Sequence, residues 1–178
     1  MTNQPTTHKY KLLEAALASY REEYRDLADD WKGLETKAQG SVAVAGIFLA
    51  ALFAFVRELT ANSGPLESVL LAVAVLTLLV SVGYAIAALR IRDIAASPLG
   101  KHLKPLVQHL LATPDLEANP DRATNFLNDH IRMWHETNEN MHHENDRKAG
   151  HVLRSQVCLM AAIAAVAILT VVKIAFFS

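Results

Sequence analysis

Residues 10–38 read YKLLEAALASYREEYRDLADDWKGLETKA. Their large apolar side chains are Tyr10, Leu13, Leu17, Tyr20, Tyr24, Leu27, Trp31 and Leu34, with Ala38 closing the series. The gaps alternate three and four residues without a slip. That spacing is one stripe of an α-helix that packs along a partner helix. No Pro interrupts the stretch, and Gly33 is its only interior Gly. At 1.5 Å per residue the stripe is roughly 45 Å long. The opposite face carries Glu14, Arg21, Glu22, Arg25, Asp29 and Lys32 and is read as solvated. Tyr and Trp are bulkier than the Leu and Ile of a plain two-stranded coil, so a small bundle is expected. Residues 1–6 are expected to fray, with Thr6 or Thr7 as the N-cap.

The pattern runs on past Gly40 into SVAVAGIFLAALFAFV, residues 41–56, which holds no charge. Residues 38–56 are therefore expected to be a first membrane span, since about 19 residues approach the roughly 30 Å of a bilayer's hydrocarbon. Gly46, Ala50 and Ala54 recur every fourth residue, a stripe that permits close helix packing in the membrane. Residues 57–67 read as a short loop turning at Ser63, Gly64 and Pro65. Residues 69–89 form a second uncharged span, with Thr77, Ser81, Gly83 and Tyr84 as its polar or kinking features. Its Thr and Ser are expected to bond back to their own helix.

A linker rich in Pro follows, with one brief helix expected at 105–112. Asn119, Pro120 and Asp121 then read as the start of a long helix: cap, first helical position and acidic first turn. Its seam is Leu127, Ile131, Trp134, Asn138, Met141, Asn145, Lys148 and Val152. Asn138 and Asn145 occupy a positions, where a buried amide lowers stability but fixes register or partner number. Tyr20, Leu27, Asn138 and Asn145 are the expected oligomer seam. Residues 157–177 form a third span whose only charge, Lys173, can snorkel to the far interface.

The fold class expected is all-α and integral to a membrane. Three transmembrane helices would carry long cytosolic, coiled-coil-like extensions of the first and third spans. The parts are a stalk (1–37), a transmembrane hairpin (38–89), a cytosolic linker and long helix (90–156), and the last span (157–178). Basic residues cluster beside one side of the spans: Arg21, Arg25, Lys32, Lys37, Arg90, Arg92, Lys101, Lys104, Arg147, Lys148 and Arg154, against Arg57 and Lys173 on the other. By the positive-inside rule the N-terminus is cytoplasmic and the C-terminus outside. No apolar core lies near Met1, so no cleavable signal peptide is expected.

The 178 residues are 52% hydrophobic with a formal net charge of -1. Residues 1–40 hold six Lys/Arg against seven Asp/Glu, and residues 90–156 hold nine against nine. No strongly basic face results, which argues against nucleic acid as the main partner. Cys158 is the single cysteine, so no internal disulfide forms. There is no phosphate-cradling glycine loop, nucleophile elbow or CxxC, so neither an enzyme nor a cofactor is expected.

Two clusters carry chemistry. His135, Glu139, His142 and Asp146 fall on one helical stripe, with His143 and His151 near. Glu139 stands where a zinc-protease pattern needs its second His, so that pattern fails. The stripe reads as a polar face in water; the sharper alternative is a metal held by His135, Glu139 and His142, or a pH sensor. The second cluster is Tyr24, Trp31, Lys37, Trp134, Arg147 and Lys148. Aromatic and basic residues anchor helices at membrane interfaces. The same types can also stack a base and pair its phosphate, which makes them a candidate nucleotide site.

The runs DWKGLETKAQGSVAVAGIFLAALFAFV and NENMHHENDRKAGHVLRSQVCLMAAIAAVAIL resemble small bacterial membrane proteins of anti-phage conflict systems. These are the transmembrane effectors of Pycsar-type cyclic-nucleotide defence and the SLATT-type effectors. The matching residues are Lys37-Ala38 before the first span, then Asn138, Asn145 and Lys148-Ala149 before the last. The resemblance implies an inner-membrane homo-oligomer, assembled on a cyclic nucleotide, that breaches the membrane. The alternative is a structural oligomer or scaffold that recruits a cytosolic partner through the Tyr/Trp seam.

Overall fold

The computed structural model describes residues 4–61, 64–91 and 120–177. These form three helices, α1 (Gln4–Ala61), α2 (Pro65–Arg90) and α3 (Pro120–Phe177), with no strand among the described residues. All three are long and apolar enough to cross a membrane. The linker and its brief helix at 105–112 lie outside the described residues, as does Asn119.

The helix ends follow from backbone chemistry. α1 begins at Gln4, so Thr6 and Thr7 lie inside the helix and neither is the N-cap. Pro5 falls in the first turn, where a missing N–H and a fixed φ are tolerated. α1 also continues through Ala61, so residues 57–61, expected as loop, are helical. Arg, Glu and Leu in that stretch favour helix, and the breaking signal comes only at Gly64-Pro65. Gly64 is extended (φ -69°, ψ 168°) and Pro65 opens α2. The Ser68 amide bonds the Gly64 carbonyl at 3.2 Å, and Glu67 in the first turn suits the positive end of the helix. Pro120 opens α3, as its fixed φ allows.

The chain forms two compact units: Met1–Trp31 with Asp93–Asn145, and Lys32–Arg92 with Asp146–Ser178. In the first, α1 and α3 enclose Leu17, Leu127 and Trp134, with Leu13, Tyr20, Tyr24, Phe126 and Ile131 packed around them. Asn138 reaches the Tyr20 carbonyl and Asn145 the Leu27 carbonyl. Each pair is seven residues from the other on both helices, so here α1 and α3 run parallel and in register.

In the second unit one cluster joins Ala38, Ala88 and Val152; another joins Ala45, Leu52, Leu78, Leu159 and Ala162. Between the two clusters the numbers rise on α1 and α3 and fall on α2. Within this unit α2 is therefore antiparallel to the other two. Alanines dominate the contacts because lipid gives helices no hydrophobic reason to associate, so close approach and packing must supply it. The expected packing stripe is displaced from this contact. Ala45 and Leu52 face inward, whereas Gly46, Ala50 and Ala54 are exposed, and a methyl added at Gly46 would meet nothing within 4 Å. One residue along a helix is a turn of about 100°, which suffices to move a stripe off the core.

Thr77 bonds back to the Val73 carbonyl at 2.7 Å, as expected. Ser81 does not bond its own helix. Its hydroxyl donates to the Ser155 carbonyl on α3 at 2.7 Å and lies 3.2 Å from the Ser155 hydroxyl. Around this core the helices show apolar surface outward, including Ile47, Phe53, Leu76, Met160, Ile168 and Val171.

Ile168 lies near the middle of the third apolar segment, residues 157–177, and is exposed. Ile168→Arg should make insertion of this segment less favourable by about 2.5–3.5 kcal/mol. In a glycosylation-reporter insertion assay the translocated fraction should fall, while Ile168→Leu leaves it unchanged.

Candidate functional site

The polar groups of the first unit gather where α3 faces α1. Asn138 Nδ2 donates to the Tyr20 carbonyl at 3.0 Å and to Glu23 Oε2 at 2.8 Å. The other carboxylate oxygen of Glu23 meets His142 Nε2 at 3.2 Å. One turn or so further on, Asn145 Nδ2 donates to the Leu27 carbonyl at 2.9 Å. Each amide thus uses the second lone pair of a carbonyl already bonded within its own helix. Glu23 precedes Tyr24 and His142 follows Met141 in the seam, the flanking positions where charged partners meet across parallel helices.

Aromatic contacts fill the same face. Tyr24 meets Trp134 edge to face at 5.4 Å, and Tyr20 meets His135 at 5.9 Å. Trp31 and Trp134 are only 3% and 2% exposed. A base could stack on either indole only if the helices parted. Four enclosed side-chain atoms in this unit have no hydrogen-bond partner among the described residues: Trp134 Nε1, His130 Nδ1, Asn138 Oδ1 and Asn145 Oδ1. His130 packs on Phe126 with ring centroids 5.2 Å apart. Burial, with Arg21 adding repulsion, pushes its pKa below the usual 6.5.

The second unit holds a buried cation. Lys148 is fully enclosed, and its Nζ sits 2.9 Å from Glu35 Oε1. The Glu35 side chain is 39% exposed. An enclosed ammonium is tolerable only when paired and hydrogen-bonded. Lys148 is thus not a membrane-surface anchor with its head in water. Lys37 and Arg147 are exposed.

Of the six residues expected to bind a nucleotide, Tyr24, Trp31 and Trp134 belong to the first unit and Lys37, Arg147 and Lys148 to the second. Tyr24 and Trp134 touch, Trp31 is buried, and Lys148 is engaged by Glu35. The metal triad is not assembled: among the described residues no group of three His, Cys, Asp or Glu is placed to hold an ion. His142 faces Glu23, His135 lies against Tyr20, and Glu139 is exposed. The expected oligomer seam of Tyr20, Leu27, Asn138 and Asn145 is occupied within one chain. Glu23 and Glu35 escaped the sequence reading. Their signal was their place beside the seam residues Tyr24 and Leu34.

No protein-family model, curated protein or solved structure matches this chain.

Glu35→Ala removes the carboxylate beside an enclosed ammonium, so it should lower stability, by at most about 3–5 kcal/mol. Lys148→Met leaves a carboxylate that water already reaches and should be the milder change. Circular-dichroism melts in detergent give the order of the two. For His130 the sign follows from its lowered pKa. The folded unit resists a proton that the unfolded chain accepts, so stability falls as pH drops through 6.5 and levels off below the folded pKa. His130→Phe should flatten that part of the melting-temperature profile between about pH 7.5 and 5.5, measured against the parent chain.

Proposed function

We propose that this chain is a small multi-pass effector of the bacterial inner membrane, N-terminus cytoplasmic and C-terminus outside. Copies assemble and permeabilise or depolarise the membrane in anti-phage defence, triggered by a nucleotide second messenger. The observation that carries this reading is the pairing of α1 with α3 in the first unit. The two segments lie parallel and are held by polar side chains on backbone carbonyls. Contacts of that kind can be exchanged for the same contacts on a second copy with little change in energy. The outward stripe of Gly46, Ala50 and Ala54 offers a close-packing face for that second copy. A nucleotide that stacks on Trp31 or Trp134 would have to open the seam, which couples binding to exchange of partners.

The scaffold reading is weaker on this fold. It needs the Tyr/Trp seam free to recruit a partner, and α1 and α3 already enclose Leu17 and Trp134 between them.

Induced expression in bacteria with a membrane-potential dye tests the proposal, with and without added cyclic nucleotides. Depolarisation is expected in at least one condition. Gly46→Leu, which has room on the single chain, should insert normally and lose the effect. Preserved potential and growth in every condition, with the protein present in the membrane, would overturn the effector reading.

A further inference from the structure

We propose that Tyr84, His151 and Arg154, in the second unit, form a binding site for the phosphate of an anionic lipid. The proposal rests on the chain being a membrane protein and is independent of the effector reading. Arg154 is the last charge on α3 before Lys173, and residues 155–172 between them carry none. On α2, residues 68–89 are likewise uncharged. On α3, His151 and Arg154 therefore sit at one border of the apolar band, with Tyr84 of α2 beside them, the depth at which headgroup phosphates lie.

The site is built from two helices. The Arg154 guanidinium carbon lies 6.0 Å from the centroid of the Tyr84 ring, a cation held against an aromatic face. Arg154 is exposed, and no carboxylate among the described residues pairs with it. One turn earlier the half-buried His151 ring lies 6.1 Å from Tyr84, tilted by 35°. Its Nδ1 is enclosed and has no hydrogen-bond partner among the described residues. The neutral tautomer that leaves no orphaned N–H puts the proton on Nε2 and makes that nitrogen the ring's donor. Ser81 and Ser155, both fully buried, bond α2 to α3 beside the three side chains. That bond fixes the spacing of the two helices before any ligand arrives.

Guanidinium is a planar fork matched to phosphate oxygens. With the Tyr84 ring on one side, Arg154 keeps its N–H edges for a ligand. The His151 Nε2–H adds a donor from the neighbouring turn. A phosphodiester carrying one negative charge and free oxygens fits this set, as the headgroup of phosphatidylglycerol does. The zwitterionic phosphatidylcholine offers the same phosphate with a compensating cation and should bind less well.

Native mass spectrometry of the full chain in mild detergent is the test. Phosphatidylglycerol, phosphatidylcholine or inorganic phosphate is added in separate arms. Phosphatidylglycerol adducts should exceed phosphatidylcholine adducts by about tenfold, the ratio one charge-assisted contact supplies. Arg154→Gln should remove that preference, and Arg154→Lys, which keeps the charge without the fork, should retain part of it. Arg132→Gln, in the first unit, should leave it intact. Equal retention of the two lipids by the parent chain would overturn the proposal, whatever the variants do. A preference unchanged in Arg154→Gln would overturn the residue assignment. Binding of inorganic phosphate without a lipid preference would assign the site to a free anion and reject the lipid.

Discussion

A side chain that enters a helix–helix seam with a polar head must find a partner there, because water is excluded. Asn138 and Asn145 obey that constraint by bonding α1 carbonyls one heptad apart. A slip of either helix by a single residue would break both contacts together and expose Trp134 or Leu17 in their place. Apolar residues alone would tolerate several registers, since any Leu packs tolerably against its neighbour. The amides remove that freedom at some cost in stability. Glu23 tightens the constraint by holding Asn138 with one oxygen and His142 with the other.

A different economy governs the second unit. The helices there meet through Ala38, Ala45, Ala85, Ala88 and Ala162, whose small side chains bring the backbones close. Ser81 and Ser155 supply a hydroxyl contact between helices of this unit. Large apolar residues point outward, the reverse of a water-soluble domain and the arrangement that lipid favours. Lys148 is the exception that needs explaining, and Glu35 explains it. The pair joins α1 to α3 just outside the uncharged segments, and its carboxylate keeps contact with water.

Much of this was legible in the residues themselves. The unbroken three-four spacing gave the long helices, Pro65 and Pro120 marked two starts, and the a-position Asn residues announced a seam with a fixed register. What escaped depends on rotation about a helix axis. Hydropathy does not distinguish Ala45 from Gly46 as the inward residue, since both are small and the neighbours on either side are apolar. Ser81 reads like Thr77 in sequence, yet one bonds across to α3 and the other back along α2, because only Ser81 faces a carbonyl on a neighbouring helix. Lys148 carried two conflicting signals, a seam position and a charge beside a span. Glu35 resolves them, and it lies more than a hundred residues away in the chain. The helix ends are the least legible: α1 begins at Gln4, where a first-turn Pro is tolerated, and runs on through Ala61, where helix propensity outlasts the apolar pattern.

The distribution of two rare residue types has a practical consequence. Both tryptophans, Trp31 and Trp134, belong to the first unit, and the only thiol, Cys158, belongs to the second. Intrinsic fluorescence therefore reports one half of the molecule and a single maleimide dye the other, with no engineering of the chain. Energy transfer from the indoles to that dye would convert any rearrangement of the two halves into a change of colour.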